Sequence, residues 1–236
     1  MSNTLTKYWA VIPAAGIGRR MESAIPKQYL PLLNSTVLDI TLKKLLEHPL
    51  ISGIAVAISP DDRWWSASEY AIHKDVIVVI GGDERCDSVL NALIALQDIA
   101  SKSDGVLVHD AARPCVRSSD ITSLIEAAGN SHDGGLLGVP VKDTMKHVNK
   151  KLLVTKTLDR SSMWHAFTPQ LFPLGILIKA LKDAYSKGEK VTDDASAMEL
   201  AGYHPLLVEG SQDNIKITRP EDLALATYYL KEQEAI

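Results

Sequence analysis

The stretch that decides the fold lies near the amino terminus, where residues 8–21 read Tyr-Trp-Ala-Val-Ile-Pro-Ala-Ala-Gly-Ile-Gly-Arg-Arg-Met. The mostly apolar run Tyr8–Pro13 predicts a strand that is buried on both faces, as in a parallel sheet. Small residues follow at once. They let the backbone approach a ligand closely, so that successive N–H groups can surround phosphate oxygens. The stretch therefore predicts an α/β protein with an anion-binding loop after its first strand.

The same alternation of apolar strand and helical pattern continues to about residue 138. Further strands are predicted at Ile54–Ile58, Val76–Ile80 and Gly105–His109, and helices at Thr36–Glu47, Asp87–Ile99 and Ser119–Ala128. Strands that alternate with helices in this order favour right-handed crossovers. The predicted fold is a mostly parallel, Rossmann-like twisted sheet with helices on both faces.

The pattern changes after residue 138. Val139–Val148 and Leu152–Leu158 alternate apolar and polar residues around Asn149-Lys150, which is typical of an antiparallel hairpin. We predict one domain over residues 1–236, with this β-arm as an insertion at about 141–168. The remaining predicted elements are helices at Leu174–Tyr185 and Asp193–Leu200, strands at Pro205–Val208 and Asn214–Ile217, and a final helix at Pro220–Lys231.

Composition excludes several classes of protein. The 236 residues have a formal net charge of −4, whereas a general nucleic-acid-binding domain is usually strongly basic. No apolar run approaches the roughly 20 residues that span a bilayer, so no membrane partner is expected. Two cysteines are too few for a disulfide framework, which favours a reducing, cytoplasmic location.

Polar residues that could bind a nucleotide gather where the predicted strands end. Arg20 and Lys27 follow the small-residue loop, Gly81-Gly82-Asp83 follows the third strand, and Asp110 follows the fourth. The carboxyl edge of an open α/β sheet is where ligands bind, and Asp110 could hold a divalent metal there. Spacing alone leaves open that the cations are solvated, that Asp83 only caps a helix, and that Asp110 pairs with an arginine to brace a loop.

Three common site motifs are missing. The third glycine of a dinucleotide fingerprint would fall at Met21, and the Walker sequence Gly-Lys-Ser/Thr does not occur after the loop. The seven histidines show no metal-ligand spacing. A dinucleotide-dependent oxidoreductase is therefore disfavoured.

Five motifs, taken together, resemble a known family. They are Pro13-Ala14-Ala15-Gly16-Ile17-Gly18-Arg19-Arg20-Met21, Pro26-Lys27-Gln28-Tyr29, Gly81-Gly82-Asp83-Glu84-Arg85, Val108-His109-Asp110-Ala111-Ala112-Arg113-Pro114 and Asp213-Asn214-Ile215-Lys216. In this order they closely resemble the 2-C-methyl-D-erythritol 4-phosphate cytidylyltransferases of the non-mevalonate isoprenoid pathway, over roughly residues 8–230. The resemblance implies a single nucleotidyltransferase domain that acts on CTP and a methylerythritol phosphate with Mg²⁺, and a homodimer formed through the β-arm.

The resemblance also implies roles for individual residues. Those implied to bind CTP are Pro13, Ala14, Ala15, Gly16, Gly82, Asp83, Ser88, Asp110 and Ala111, with Asp110 also near the metal. Those implied to be catalytic are Arg20, Lys27, Arg160 and Lys216. Those implied to bind the methylerythritol phosphate are Arg113, Thr144, Arg160, Thr168, Thr192 and Lys216. Arg160 and Thr168 are implied to lie on the arm, which in this family reaches the partner's site.

The implied chemistry explains why no nucleophile–base pair is found. The attacking atom is a phosphate oxygen, which is ionised at neutral pH because its second pKa is near ~6. Positioning and charge stabilisation then supply most of the catalysis. Two further alternatives are weighed: a ribitol 5-phosphate cytidylyltransferase, disfavoured by the sequences around Ala14 and Asp110, and a non-catalytic nucleotide-binding module, disfavoured by the retained cations.

Overall fold

A seven-stranded sheet forms the centre of the computed structural model, which describes residues 7–16, 21 and 24–235. The strands along the chain are β1 (Tyr8–Pro13), β2 (Pro31–Leu32), β3 (Ser35–Thr36), β4 (Ile51–Ile58), β5 (Val76–Ile80), β6 (Gly105–Val108), β7 (Gly135–Pro140), β8 (Lys146–Val148), β9 (Val154–Thr157), β10 (Trp164–Pro173) and β11 (Leu206–Glu209). The helices are α1 (Val37–Leu46), α2 (Arg85–Leu96), α3 (Ser118–Ala128), α4 (Leu174–Ser186), α5 (Asp194–Leu200) and α6 (Glu221–Glu234).

The sheet confirms the predicted α/β class. Its order is β11-β7-β10-β6-β1-β4-β5. The pairs β1–β4, β1–β6, β4–β5 and β7–β11 are parallel, whereas β10 runs antiparallel to both β6 and β7. Because most strands are parallel, their carboxyl ends meet at one edge, as the sequence predicts.

Apolar residues of the central strands point alternately to two hydrophobic clusters. Ile12 of β1 packs on the side of Leu42 and Leu124, which belong to α1 and α3. Val11 packs on the other side, with Leu93 of α2 and Leu177 of α4. A strand covered by helices on both faces needs apolar residues at every position, which is why β1 reads as a continuous apolar run.

The predictions for Val139–Val148 and Asn214–Ile217 are wrong. Val139–Val148 is not one strand, because Pro140 ends β7 in the main sheet and β8 begins only at Lys146. Asn214–Ile217 forms no strand. Its main chain turns at Asp213 and makes a single backbone bond to the loop after β6, from Ile217 N–H to Ala112 O at 2.8 Å. The apolar alternation of this segment reflects packing of Ile217 against α6, not a ladder.

The antiparallel strand β10 was not predicted. Its sequence contains Pro169 and ends at Pro173, and proline is rare inside sheets because it cannot donate to the ladder. The structure accommodates Pro169 with a register shift in the β10–β7 pairing between Ala166 and Gln170. Residues 164–168, predicted as part of the arm, therefore belong to the main sheet.

The hairpin itself is confirmed. β8 and β9 pair antiparallel in a separate two-stranded sheet, and all their side chains are exposed. No helix in the described ranges is long and apolar enough to cross a membrane.

Candidate active site

A cavity of about 240 Å³ lies at the carboxyl edge of the sheet, between the loops after β1, β5 and β6 and the segment that precedes α6. Two of the predicted catalytic cations, Lys27 and Lys216, line it. So does every residue predicted to bind CTP, namely Pro13, Ala14, Ala15, Gly16, Gly82, Asp83, Ser88, Asp110 and Ala111. The prediction for Arg20 concerns a residue outside the described ranges.

The loop after β1 is held from both sides. Ala14 N–H donates to Ala57 O of β4 at 2.7 Å, and the buried Gln28 side chain donates to Ala14 O at 2.6 Å. Lys27, beside Gln28, donates from Nζ to Ile217 O at 3.2 Å. Lys27 therefore connects the small-residue loop to the segment that carries Lys216.

The loop after β5 packs tightly against the first one. A Cβ atom added to Gly81 would lie 2.6 Å from Ala15 Cβ and 2.7 Å from Ser88 Oγ, so only glycine fits there. Ser88 Oγ accepts a hydrogen bond from Gly82 N–H at 3.1 Å and donates to Glu84 O at 3.2 Å. Ser88 thus shapes the glycine turn on the cavity wall.

Asp110 is the centre of the site's charge. Its Oδ1 accepts from Arg85 Nε at 3.0 Å, while its Oδ2 lies 2.8 Å from Lys216 Nζ and 3.5 Å from Arg113 Nε. Burial alone would raise the pKa of this carboxyl, but the charges of Arg85, Lys216 and Arg113 outweigh burial and hold the pKa well below its usual range. Asp110 is therefore a permanent anion that keeps three cations together.

A buried network supports Asp110 from behind. Thr168 Oγ1 accepts from Asp110 N–H at 3.1 Å and lies 3.0 Å from His109 Nδ1, while His109 Nε2 lies 3.0 Å from Arg113 O. Because a carbonyl oxygen only accepts, Nε2 carries the proton and Nδ1 accepts from the Thr168 hydroxyl. Burial lowers the pKa of His109 to about 4, so the ring is neutral.

Arg113 is buried and does not line the cavity. Its Nη1 donates to Asn214 O at 2.6 Å, and its guanidinium lies 4.7 Å from the centre of the Phe167 ring. The Asn214 side chain in turn donates to Thr168 O at 2.8 Å. In this structure, Arg113 ties the loop after β6 to the segment before α6.

The structure does not bring all predicted substrate residues to the cavity. Thr144, Arg160 and Thr192 lie outside its lining, and Arg160 is exposed. Arg160 is in a short turn at the base of the arm, where its guanidinium donates to Lys142 O. Thr168 lies in β10 and not on the arm, and its buried hydroxyl accepts a hydrogen bond from Asp110 N–H of the same chain.

Four residues that line the cavity have no predicted role: Gln28, Glu84, Arg85 and Ala112. Of these, Gln28 donates to Ala14 O, and Arg85 donates to the Asp110 carboxylate. Arg85 follows a glycine turn at the first position of α2, and a cation at the start of a helix is an unusual placement that could have drawn attention to it.

The residues around Asp110 do not fit a metal ion held by the protein alone. Both carboxylate oxygens already contact cations, which would repel a divalent ion. No group of three or more His, Cys, Asp or Glu suited to a metal occurs in the described part of the chain. A metal ion at Asp110 would have to replace Arg85 or Lys216.

An α/β sheet with a small-residue loop, flanking cations and a buried carboxylate at its carboxyl edge suits an enzyme of the nucleotidyltransferase class. Comparison with known proteins identifies the family. The sequence model of the 2-C-methyl-D-erythritol 4-phosphate cytidylyltransferase family matches residues 8–232, and the chain belongs to this family.

Relatives of this name match along the full chain. The enzyme of that name from Vibrio vulnificus strain YJ016 is 49% identical over 234 residues, 99% of each chain. That of Salmonella typhimurium is 48% identical, covering 98% of this chain and 96% of its own. The crystal structure of the enzyme from Francisella tularensis has a TM-score of 0.83 at 45% identity, covering 95% of this chain and 100% of that one. The crystal structure of the enzyme from Thermus thermophilus has a TM-score of 0.78 at 30% identity, covering 96% and 100%.

Proposed function

We propose that this chain transfers the cytidylyl group of CTP to 2-C-methyl-D-erythritol 4-phosphate, giving 4-CDP-2-C-methyl-D-erythritol and pyrophosphate. The observation that carries the proposal is the cluster of Arg85, Arg113 and Lys216 around Asp110 beside two small-residue loops. Such a site can bind two polyanions side by side, and their mutual repulsion is the main barrier to this reaction. Family membership supplies the identity of the substrates.

The bond changes need no protein base. A phosphate oxygen of the sugar phosphate attacks the α-phosphorus of CTP, a new P–O bond forms, and the bond from that phosphorus to the bridging oxygen breaks. The electron pair leaves with pyrophosphate. Because the attacking oxygen is already ionised, catalysis depends on alignment and on stabilising negative charge.

Lys27 and Lys216 are proposed to stabilise that charge, together with Arg20. Lys27 stands beside the loop after β1, where successive backbone N–H groups can surround the triphosphate. The Lys216 side chain is about one third exposed, and its Nζ lies 2.8 Å from Asp110 Oδ2. The ion pair therefore holds its ammonium group at the cavity. We assign Lys216 and Arg113 to the sugar phosphate side.

A divalent cation is proposed to enter with the nucleotide. Mg²⁺ keeps water and phosphate ligands readily, and Asp110 is already occupied by cations. When bound to the triphosphate, the ion would reduce its charge. Lys27, Lys216 and Arg20 are then proposed to stabilise the remaining negative charge.

The arm is proposed to form a homodimer. Val148, Leu152, Leu153 and Val154 are between 41% and 81% exposed on β8, β9 and the turn between them. A lone two-stranded hairpin is marginal in water, so an arm with exposed apolar residues needs a partner surface. Arg160 lies at the base of this arm, and we propose that it completes the partner's site.

The test is pyrophosphate release from CTP with a series of polyol phosphates. We expect release with methylerythritol phosphate to be at least ~100-fold faster than with ribitol 5-phosphate, CTP to be preferred over UTP, and a chelator to stop the reaction until Mg²⁺ is added. Faster release with ribitol 5-phosphate would show that the chain is a ribitol 5-phosphate cytidylyltransferase instead. Binding of CTP without release in any mixture would favour the non-catalytic module. A cytoplasmic location and the lack of a nucleic-acid partner stay predictions.

A further inference from the structure

The cation Arg85 bridges two carboxylates that belong to different parts of the chain. Its Nε donates to Asp110 Oδ1 at 3.0 Å, and its Nη2 donates to Asp194 Oδ2 at 2.9 Å. Burial opposes its charge, but Asp194 and Asp110 together raise the pKa of the guanidinium above its ordinary value. Two of its nitrogen atoms, Nε and Nη2, therefore donate to carboxylates of the protein itself.

Burying the charged Asp194 carboxylate carries a free-energy penalty. Its side chain is 1% exposed, and its Oδ1 has no hydrogen-bond partner among the residues that the structure describes. Burial raises the pKa of this carboxyl despite the nearby charge of Arg85. A buried ion pair is often no more stable than an apolar pair of the same volume, so stability alone is a weak explanation for it. Asp194 is not among the residues that line the cavity.

Asp194 begins α5, and the residues just before it are fixed to the same point. Asp193 caps the helix by accepting from Ser196 N–H, and Thr192 N–H donates to Ser196 Oγ at 3.1 Å. The Gln170 side chain of β10 accepts from Ala195 N–H at 2.8 Å. The position of Thr192 therefore depends on how the start of α5 is held.

We propose that Arg85 is a positioning residue, which fixes the Asp110 carboxylate on one side and the start of α5, with Thr192, on the other. This inference rests on the proposed function, because it assigns the two sides to the two substrates. Through Asp110, Arg85 sets the place of Lys216. Through Asp194, it fixes the start of α5 and the neighbouring Thr192, which the proposal assigns to the sugar phosphate side.

The two substrates should respond differently when Asp194 loses its charge. In the Asp194→Asn variant the volume is kept, but the cluster of Arg85, Arg113, Lys216, Asp110 and Asp194 gains one net positive charge. Binding of the triphosphate is then retained or strengthened. The start of α5 loses its charge-assisted bond, so the sugar phosphate side is weakened. A residue with a purely structural role would not shift the two affinities in different directions.

The experiment compares Asp194→Asn and Arg85→Lys with the control Asp104→Asn. Lysine keeps the charge of Arg85 but cannot bridge two carboxylates as a planar fork does. Asp104 is buried at the opposite end of β6, where it accepts from Trp9 Nε1 and from Ser101 N–H. Each variant is measured for the CTP dissociation constant by calorimetry, KM for methylerythritol phosphate, kcat, melting temperature and amide hydrogen exchange.

For Asp194→Asn, we expect the KM for methylerythritol phosphate to rise about 10-fold, the scale for one charge-assisted contact, while the CTP dissociation constant does not rise. Exchange at Thr192 and the first turn of α5 should quicken in Asp194→Asn and Arg85→Lys but not in Asp104→Asn. If both variants kept the wild-type KM for methylerythritol phosphate and the wild-type exchange rates, the proposal would be overturned. If the wild-type chain transferred nothing, the proposed function would fail, while the exchange comparison would still decide whether Arg85 holds α5.

Discussion

At the scale of single residues, the site depends on one buried anion. Asp110 is 7% exposed, and three cations that would otherwise repel one another lie within 3.5 Å of its oxygens. A carboxylate in this position has two effects. It allows the cations to be present in the free protein, and it holds Lys216 at the cavity until a polyanion arrives.

Replacing Asp110 with asparagine should therefore change both stability and activity. We expect a loss of about 1–3 kcal/mol in the free energy of unfolding, less than for a fully buried pair because Arg85 and Lys216 are partly exposed. At about 2–4 °C per kcal/mol for this chain length, melting falls by several degrees. Turnover should fall by ~10²-fold or more.

Ligand-dependent melting distinguishes this account from simple damage to the fold. CTP should raise the melting temperature of Asp110→Asn more than that of the wild-type chain, since the three cations have lost their internal anion. In the control Asp104→Asn, CTP should stabilise as it does in the wild type. Unchanged turnover in Asp110→Asn would contradict the central role of the carboxylate.

His109 should make stability depend on pH. Its pKa is lowered from 6.5 to about 4 in the folded chain, because burial disfavours the charged ring. Below pH 6.5 the unfolded chain therefore binds a proton that the folded chain does not. Stability should fall as pH decreases from about 6.5 to about 4, by about 1.4 kcal/mol per pH unit from this residue. Below about pH 4 its contribution becomes constant.

The measurement is the free energy of unfolding by denaturant at a series of pH values. In His109→Gln the slope between about pH 6 and about pH 4.5 should be smaller than in the wild type by about one proton. All other groups titrate in both proteins, so the difference isolates His109. An identical slope in the two proteins would show that the ring is not neutral in the folded chain.

At the scale of elements, the cavity exists because two strand-to-helix loops touch. The loop after β1 and the loop after β5 meet at Ala15 and Gly81, beside the cavity. The strands that carry them are separated by β4, to which both loops hydrogen bond through Ala57 O and Ile58 O. The spacing of the cavity walls is thus set by the width of the sheet and the size of the side chains in the loops.

Gly81→Ala tests this contact. The added methyl group would lie 2.6 Å from Ala15 Cβ and 2.7 Å from Ser88 Oγ, so the loops must separate. We expect the CTP dissociation constant to rise about 10-fold, with a small loss of stability. Gly210→Ala is the matched control, because its methyl group would meet its nearest neighbours at an ordinary 3.5 Å. Equal CTP affinity in the two variants, measured by calorimetry, would refute the dependence on loop packing.

The arm is the second element whose role can be tested. If Arg160 acts across a dimer, mixing an Arg160→Ala chain with a Lys27→Ala chain creates one site with both defects and one with neither. Each mixed dimer should then recover ~50% of wild-type activity, assuming independent sites. Subunit exchange is allowed before assay, and each variant incubated alone is the control. No recovery in a verified mixed dimer would place Arg160 in its own chain's site.

At the scale of the whole molecule, the parallel part of the fold and the gathering of the loop residues at one edge of the sheet could be predicted from sequence. Continuous apolar runs such as Tyr8–Pro13 signal strands buried on both faces, and residues that follow such strands share one edge. Every residue predicted to bind CTP lies on one cavity because of this local rule.

What could not be predicted depends on contacts between distant segments. Strand β10 contains proline and gains its place only by pairing with β6 and β7. Arg85 contacts Asp194 across a separation of 109 residues, and no local pattern indicates that these two residues pair with each other. The location of Thr168 behind Asp110 follows from β10 as well. Sequence patterns report the local environment of a residue, but not which remote charge it will meet.

The most direct test of the central claim is ³¹P NMR of a reaction with CTP and methylerythritol phosphate whose phosphate oxygens carry ¹⁸O. If a phosphate oxygen of the sugar phosphate attacks the α-phosphorus, the label appears in the bridging oxygen of a new diphosphate, and unlabelled pyrophosphate is released. The isotope shift should then be seen on both phosphorus atoms of the product. Unchanged CTP, release of orthophosphate in place of pyrophosphate, or a product without label in the bridge would contradict the account.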